Sequence, residues 1–351
     1  MQITKKSSFQ FFLLLIAFLL ALAFRLIQLG SVPLNNQEAN FALQALAVSL
    51  GNKTSYGLNM AYVGLTGPDF FVFDATNFLA RFWPALFGAL AVFIPYLYRQ
   101  WIGRWPAIAL SFILAISPEM VGLSRIIGSP MIAFVCLFLG LGFLLKQKPI
   151  LSGFLLALSL LSGHSLWIGI LIFVVSFLVS ERVFNISDIH ERHLVDEKRR
   201  FWLSWGGAFG VTLILIGTGF FMAPAGLSGI FDGLISFLQG FGTSYTQPYV
   251  MLPLTLFAYT MPALILGIWG GIRGVLQHSK VDMFLFLWFI LGLILILAYP
   301  GSLPADLIWI TLPLWILTVR VLISTLKLPD SSRFIIVITL IMVIVVSAFM
   351  L

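Results

Sequence analysis

The sequence predicts an all-α membrane protein that crosses the bilayer many times. Hydrophobic residues make up 60% of the 351 residues and charged residues only 9%, against about 45–50% and about 25% in soluble domains. Apolar runs of roughly 18 or more residues recur along the chain, and each is long enough to cross a bilayer as a helix. Because lipid cannot pair with backbone polar groups, these runs must be helical, and the alternating pattern of a membrane barrel is absent.

The apolar runs divide the chain into about eleven predicted spans. With Lys5 and Lys6 holding the N-terminus in the cytoplasm, the alternation places all but four of the 20 Lys and Arg residues on the cytoplasmic side. This excess follows the positive-inside rule, so we expect a multi-pass protein of the cell (plasma or inner) membrane. In chain order the spans are Phe9–Ile27, Ala80–Tyr98, Pro106–Ile116, Met131–Leu145, Ile150–Leu161, Leu166–Val179, Phe201–Met222, Leu252–Gly271, Met283–Tyr299, Leu307–Leu322 and Phe334–Leu351.

We expect a single integral membrane domain over residues 1–351, because no loop is long enough to fold around a core of its own. Residues 29–76 form the first outer loop and carry an interfacial helix. Residues 181–200 form a cytoplasmic loop, and residues 223–249 form an outer amphipathic segment. The apolar run after Met1–Lys6 is similar to a signal peptide, but its length favours an uncleaved anchor.

Charge and cysteine content exclude several kinds of site. The net charge of +7 does not indicate nucleic-acid binding, because the cations lie in short loops where they set membrane orientation. The single cysteine, Cys136, excludes an intramolecular disulfide and a cysteine-based metal site. A transporter is disfavoured, since the span centres are almost entirely apolar and the polar groups gather at one face. The composition therefore favours a site at the outer membrane interface.

Three arginines break the positive-inside rule, since Arg25, Arg81 and Arg125 lie at the outer ends of the first three spans. Ionisable groups at this depth usually have partners or face a polar cavity. The planar guanidinium group binds two phosphate oxygens at once, which makes these arginines candidate phosphate ligands. The alternative is that each arginine pairs with Glu119, Asp74 or a helix-end carbonyl group, or extends to lipid phosphates.

Glu38 is the candidate catalytic residue, because its acidic side chain lies at the membrane–water boundary. Asn35 and Glu38 have the spacing of a capping box, which predicts a helix that begins after Asn35. A carboxylate here could also serve as a general base, and the two roles are compatible. His164, at an outer turn between two spans, is either a structural histidine or a contact for a substrate.

Short blocks along the chain carry a resemblance to known membrane enzymes. The blocks are Phe24–Leu26 and Leu29–Leu34 before Gln37–Glu38, Asn77–Gly88, Leu114–Pro118 with Leu123–Arg125, and Ile310–Leu314. Together with the topology, they are similar to the GT-C glycosyltransferases, in the branch (family 39) that contains protein mannosyltransferases and aminoarabinose transferases. The resemblance covers roughly residues 10–320, and it implies a GT-C-like bundle with a helical first outer loop.

The resemblance implies transfer of a sugar from a polyprenyl-phosphate carrier to an acceptor on the outer face of the membrane. In this family an acid in the first outer loop acts as base or orients the acceptor, and cationic residues hold the lipid phosphate. For these roles Glu38 is the available base, and Arg25, Arg81 and Arg125 are the available cations. The glycosyltransferase hypothesis adds Gln37, Asp74 and His164 as contacts for the acceptor or the donor.

Two acids expected from the family are missing. The first outer loop of the family usually has Asp-Glu, whereas this chain has Gln37 before Glu38, and an amide cannot accept the proton. In the block after the third span the family often has a second acid, whereas this chain has Ile126–Pro130. Glu38, Asp69 or Asp74 would then supply the base, or the fold would be kept without transfer chemistry.

Two hypotheses of function follow. The first is an inverting membrane glycosyltransferase, probed by Glu38→Gln, which should abolish transfer without unfolding the protein. The second is a catalytically inactive relative that binds a lipid-linked glycan or acts as the partner of another membrane protein. The expected partners are a polyprenyl-phosphate sugar donor, membrane lipid and a further protein, but no nucleic acid. Neither hypothesis requires a cofactor, although a divalent metal is compatible with the chemistry.

Overall fold

The computed structural model describes residues 2–52, 59–184, 198–244, 248 and 250–325. The last predicted span, Phe334–Leu351, lies outside the described residues, as do Lys53 and most of the predicted loop at 181–200. Within the described ranges the regular structure is entirely helical, and no β-strand is present.

Sixteen α-helices follow one another in the described ranges, with short 3-10 turns at Ala91–Phe93, Pro224–Ser228 and Pro304–Leu307. The helices are α1 (Gln2–Leu26), α2 (Asn36–Ser49), α3 (Met60–Phe73), α4 (Asn77–Leu90), α5 (Ile94–Leu97), α6 (Arg99–Ile102), α7 (Arg104–Ile116), α8 (Pro118–Ser124), α9 (Met131–Leu145), α10 (Pro149–Leu160), α11 (Ser165–Phe184), α12 (Lys198–Gly217), α13 (Gly229–Gln239), α14 (Met251–Leu276), α15 (Lys280–Ala298) and α16 (Ile308–Thr325).

Seven of the described helical segments are long and apolar enough to cross a membrane, and the number is eight if the pair α7–α8 counts as one span. Every predicted span that falls on described residues coincides largely with a helix. The helices α9 and α10 are apolar but only 15 and 12 residues long, whereas a full crossing needs about 20 residues. The protein is therefore a multi-pass membrane protein in which two of the predicted spans are short.

The third predicted span continues through a sharp bend into a second helix. The axis turns by 55° between α7, which ends at Ile116, and α8, which begins at Pro118. Proline lacks an N–H group and disfavours a helical backbone at the preceding residue, which explains the ψ of 127° at Ser117. Beyond the bend, α8 packs against α1, α4 and α14.

The helix α16 lies at the centre of the bundle. Its residues from Ile308 to Val319 are all buried, and it packs against α7, α14 and α15. A glycine allows the close approach of α14, because a Cβ atom at Gly267 would lie 2.9 Å from the carbonyl oxygen of Leu314. By contrast, α1 and α12 expose apolar side chains such as Phe11 and Leu203, as expected for helices that face lipid.

The described residues of the predicted first outer loop contain two helices. The helix α2 matches the predicted interfacial helix, whereas α3 is an addition to the prediction. It has 14 residues, buries Met60 to Val63, and packs against α2, α4 and α12. A segment of this length is too short for a span, and its burial depends on tertiary packing, so hydropathy alone does not reveal it.

The predicted amphipathic segment at 223–249 contains α13. This helix exposes Phe231, Ile235 and Leu238, and it buries Phe237, whose ring centroid lies 5.3 Å from that of Tyr299. A helix with one exposed apolar face and one face against the protein is typical of a membrane interface.

Two ends of the bundle are named for their charged residues. The Glu38 end carries the last residues of α1, the first residues of α2, α4, α11 and α16, and the α7–α8 bend. The Arg320 end carries the last residues of α14 and α16 and the first residues of α15. There Arg320 pairs with Asp282 and donates hydrogen bonds of 2.9 Å to the carbonyl groups of Trp101 and Ile102. A cavity of about 420 Å³ adjoins this pair.

Candidate functional site

A capping box fixes the start of α2, as the sequence predicts. The Asn35 side-chain oxygen accepts a hydrogen bond from the Glu38 backbone N–H at 2.8 Å. In return, Glu38 Oε2 accepts one from the Asn35 backbone N–H at 3.1 Å. Each side chain thus satisfies a backbone donor that the first turn of a helix leaves without a partner. The carboxylate of Glu38 is therefore held against the beginning of its own helix.

Arg81, near the start of α4, binds the same carboxylate through two nitrogen atoms of its guanidinium group. Its Nε donates to Glu38 Oε1 at 2.9 Å and its Nη2 donates to Glu38 Oε2 at 2.7 Å. The other N–H groups donate to the carbonyl oxygens of Leu29, Val32 and Pro33 at 3.3, 2.7 and 3.1 Å. These five contacts use all five donors of the arginine.

Glu38 has one further partner, because its Oε1 accepts a hydrogen bond of 3.2 Å from the backbone N–H of Ile127. With 2% of the residue exposed, the four acceptor positions of the carboxylate are filled by Arg81, Asn35 and Ile127. Burial raises the pKa of Glu38, but the hydrogen bonds from these three residues outweigh it and leave the pKa below its ordinary value. The side chain joins α2, α4 and the loop after α8.

Gln37 directly precedes Glu38 in the chain, but it is exposed whereas Glu38 and Arg81 are buried. It is the second residue of α2, between the two members of the capping box, and its side chain is exposed. The structure therefore places an amide in an exposed position next to Glu38. This is the position where the family resembled by the sequence usually has an aspartate.

Arg25 lies at the end of α1 and is fully buried. Its Nη1 donates to the carbonyl oxygens of Ala21 at 3.2 Å and Ala115 at 2.7 Å, and its Nη2 donates to that of Leu114 at 2.9 Å. Its Nε has no hydrogen-bond partner in the described part of the chain. The arginine thus binds the carbonyl groups at the end of α7, where the helix dipole is negative.

Arg125 joins the end of α8 to the end of α1. Its Nη1 donates to the carbonyl oxygen of Phe24 at 2.8 Å, and its Nη2 donates to that of Gln28 at 3.1 Å. All three arginines singled out by the sequence therefore lie at the Glu38 end, and each donates to backbone carbonyl groups or to Glu38. In the described ranges none forms a salt bridge with Glu119 or Asp74.

The two acids that follow in the predicted first outer loop, Asp69 and Asp74, have different surroundings. Asp69 accepts a hydrogen bond of 2.7 Å from the indole N–H of Trp83. Burial raises the pKa of Asp69, and the bond from Trp83 offsets part of that rise. Asp74 is exposed and follows the last residue of α3, with a φ of 64°. The structure therefore anchors Asp69 to α4 and leaves the Asp74 carboxylate at the surface.

His164 lies beside a buried polar cluster that joins α11 to α16. The Ser165 hydroxyl donates to Asp306 Oδ1 and accepts a hydrogen bond of 3.3 Å from the Trp309 indole N–H. Asp306 Oδ2 accepts from the Leu303 backbone N–H at 2.9 Å, and His164 directly precedes Ser165 in the chain. The Ser165–Asp306 contact spans 141 positions, so the sequence spacing gave no sign of it.

Glu119 lies in the first turn of α8 and is predicted from the sequence only as an arginine partner. Its Oε2 is buried and has no hydrogen-bond partner in the described part of the chain. No group of three or more His, Cys, Asp or Glu side chains in the described residues could hold a metal ion. The described site is thus a set of buried charges, of which Glu38 and Arg81 are paired.

The fold and the site define a multi-pass membrane protein with its buried charges gathered at one end of a helical bundle. No protein-family model matches the chain, and no curated protein matches it. Comparison with solved structures identifies the fold.

ArnT from Cupriavidus metallidurans, in its crystal structure bound to undecaprenyl phosphate, is similar with a TM-score of 0.61 and 15% identity, over 95% of this chain and 62% of that chain. An oligosaccharyltransferase from Archaeoglobus fulgidus, in complex with zinc and sulfate, is similar with a TM-score of 0.51 and 14% identity, over 96% of this chain and 51% of that chain. The protein has the GT-C glycosyltransferase fold. It spans a half to two-thirds of the length of these two relatives.

Proposed function

We propose that this protein is a membrane glycosyltransferase that takes a sugar from a polyprenyl-phosphate-linked donor at the Glu38 end of the bundle. The observation that carries the proposal is the likeness, over 95% of this chain, to ArnT solved with undecaprenyl phosphate. The excess of Lys and Arg on one side of the predicted spans supports a cytoplasmic N-terminus and an outward-facing Glu38 end. The acceptor would be a lipid, glycan or protein in the cell envelope.

Arg81 is the proposed ligand of the donor phosphate, with Arg125 beside the same loop and Arg25 as a buried positive charge. The Arg81 donors that hold Glu38 are matched to two oxygens of an anion, and a phosphate offers the same geometry as a carboxylate. A donor phosphate that takes these two hydrogen bonds would release Glu38. The pKa of the released carboxylate would rise towards its ordinary value, because the contact that lowers it is lost.

Released Glu38 is the proposed general base. The acceptor hydroxyl oxygen attacks the anomeric carbon, the bond from that carbon to the phosphate oxygen breaks, and the acceptor proton passes to Glu38. Negative charge grows on the leaving phosphate, where Arg81 stabilises it. Direct displacement inverts the anomeric configuration. Gln37, Asp74 and His164 are proposed as contacts for the sugar or the acceptor.

The test measures binding and transfer separately in nanodiscs. Undecaprenyl phosphate is titrated against the protein by native mass spectrometry, and transfer is followed from radiolabelled undecaprenyl-phosphate glucose and mannose. We expect Arg81→Ala to weaken binding of undecaprenyl phosphate and Glu38→Gln to abolish transfer while keeping that binding. Asp232→Asn, on the exposed side of α13, is the matched acid-to-amide control. A wild-type protein that does not bind undecaprenyl phosphate would contradict the proposal, as would full transfer by Glu38→Gln.

A second candidate function is binding of a lipid-linked glycan without transfer. Two observations favour it: the acceptor positions of Glu38 are filled, and position 37 holds an amide. A binding protein would retain undecaprenyl phosphate and transfer no sugar in its wild-type form. Gln37→Asp then tests whether a missing base is the cause, because it supplies a carboxylate at an exposed position beside the ion pair. Transfer gained by Gln37→Asp would support this candidate, and transfer by the wild type would exclude it.

A further inference from the structure

Glu119 differs from the other buried acids in what surrounds its carboxyl group. It lies in the first turn of α8, just after the 55° bend, and its Oε2 is buried without a partner in the described part of the chain. Both oxygens of Glu38 and both oxygens of Asp306 accept hydrogen bonds. The Asp282 carboxylate is paired with Arg320. Glu119, a half-buried residue, thus has a buried acceptor oxygen without a partner in the described residues.

Polar groups on α16 and at the bend accompany Glu119. The Thr311 hydroxyl lies within hydrogen-bonding reach of the Glu119 carboxyl and also donates to the Ile308 carbonyl oxygen of its own helix at 3.2 Å. Trp315 lies one turn further along the same face of α16, and its buried indole N–H has no partner in the described ranges. The hydroxyl of Ser117, two residues before Glu119, is buried and also lacks a partner there. Since buried polar groups are nearly always hydrogen-bonded to protein, water or ligand, these groups are able to bind the polar groups of a ligand.

The chemistry of the unused groups selects the kind of ligand. A carboxylate accepts, an indole N–H donates, and a serine hydroxyl does both. A hydroxyl group satisfies all three, because it donates to the carboxylate and accepts from the indole. An anion would be repelled by Glu119, and in the described residues no group of three metal-binding side chains surrounds it. Sugar hydroxyls therefore fit the cluster better than a phosphate or a metal ion.

Glu119 is connected to the proposed donor site through α8 and the loop after it. Arg125, at the end of α8, is bonded to the carbonyl groups of Phe24 and Gln28, and the N–H of Ile127 is bonded to Glu38. The chain segment from Glu119 to Ile127 thus connects Glu119 to the Glu38–Arg81 pair. We propose that Glu119, with Ser117 and Trp315, binds hydroxyl groups of the sugar carried on the lipid phosphate, an inference that rests on the proposed function.

The first experiment tests whether the Glu119 carboxyl is open to a ligand. Dicyclohexylcarbodiimide, an apolar reagent for carboxyl groups in water-poor places, is applied to the protein in nanodiscs, and the modified residues are identified by mass spectrometry. We expect modification of Glu119 and not of Asp306, which is buried with both oxygens bonded. Undecaprenyl-phosphate glucose or mannose at about ten times its Kd should reduce the rate about tenfold, because roughly nine-tenths of the sites are then occupied, whereas undecaprenyl phosphate alone should not. An unmodified Glu119, or modification insensitive to both sugar-bearing lipids, would overturn the inference.

The second experiment measures the sugar's share of the binding affinity. For the wild type, undecaprenyl-phosphate glucose or mannose should bind more tightly than undecaprenyl phosphate, and Glu119→Gln should reduce that difference about tenfold. Trp315→Phe removes the indole donor, keeps the ring, and should reduce the difference in the same direction. Asp232→Asn is the matched control and should leave it unchanged.

The two proposals fail in different ways. Undecaprenyl phosphate that does not bind the wild type contradicts the proposed function. Undecaprenyl phosphate that binds normally, with a sugar-dependent gain that survives both Glu119→Gln and Trp315→Phe, overturns the Glu119 inference alone.

Discussion

Arg81 and Glu38 are joined by two parallel hydrogen bonds across 43 positions of sequence, from Nε to Oε1 at 2.9 Å and from Nη2 to Oε2 at 2.7 Å. The pair is nearly enclosed, with 8% of the Arg81 side chain and 3% of the Glu38 side chain exposed. A buried charge that loses its partner is costly, whereas a matched pair is close to neutral. The interaction therefore fixes the position of α2 against α4 and makes each residue depend on the other.

Removing the Arg81 side chain should destabilise the protein strongly. Arg81→Ala leaves the Glu38 carboxylate buried without its cation, which costs about 3–5 kcal/mol. Denaturant unfolding in detergent micelles measures the loss. Arg125→Lys is the control, because it shortens a half-exposed side chain that binds two carbonyl groups, and it should cost less than about 1 kcal/mol. Equal stability of Arg81→Ala and the wild type would show that the pair does not hold the end of the bundle together.

Acid should weaken the protein through Glu38. The pKa of Glu38 is lower in the folded protein than its ordinary value of 4.5, so its interactions add stability that is complete above 4.5 and is lost as the pH falls through the lowered value. Glu38→Gln removes this titration. We expect the difference in Tm between the wild type and Glu38→Gln to shrink as the pH is lowered from 7 through the ordinary value. A constant difference would contradict the assignment.

Asp69 should show the opposite pH dependence. Burial raises its pKa above the ordinary value of 3.8, so the ionised form costs stability once the pH exceeds that value. Asp69→Asn removes the charge but keeps an oxygen that can accept the Trp83 hydrogen bond. The variant should be as stable as the wild type or more stable at neutral pH, with the difference disappearing in acid. A loss of Tm at pH 7 would mean that the Trp83 bond requires the charge.

Close packing around Arg25 should make Gly88 hard to replace. A Cβ atom there would overlap the Ser124 Cβ and lie 2.9 Å from Arg25 Nε, so Gly88→Ala should cost about 1–3 kcal/mol. Gly206→Ala is the matched control on α12, where a Cβ atom would meet nothing within 4 Å, and it should be neutral or stabilise the helix by up to about 1 kcal/mol. Thermal unfolding of the two variants measures the contrast, and equal effects would contradict it.

Local signals predicted the parts of the fold that depend on neighbouring residues. Apolar runs located the spans that fall on described residues, and the spacing of Asn35 and Glu38 identified the start of α2 correctly. The helix α3 was not predicted, because its burial comes from packing against three other helices. The bend at Ser117 was visible in principle, since Pro118 disfavours a helical residue before it.

The sequence could not predict which groups the charged residues bind. Helix-end carbonyl groups are among the alternative partners that it offers for the arginines, and Arg25 and Arg125 bind such groups. Local spacing does not say which carbonyl groups these are, and it says nothing about a contact such as Arg81–Glu38. The contrast between Glu38, whose acceptors are filled, and Glu119, which has an unused acceptor, also depends on the folded chain. Both are single acids near the predicted outer end of an apolar segment, and only the three-dimensional arrangement separates them.

Gln37 is a suitable position for introducing new functional groups by mutation. The capping box on either side of it sets its backbone, while its side chain remains exposed. Position 37 is therefore a fixed attachment point whose chemistry can be exchanged with little effect on the scaffold. Substitutions that introduce a carboxylate, an imidazole or a thiol at position 37 would all place that group on the same backbone position at the Glu38 end of the bundle. A series of such variants would therefore test, one functional group at a time, which side chain a reaction at this end of a membrane protein requires.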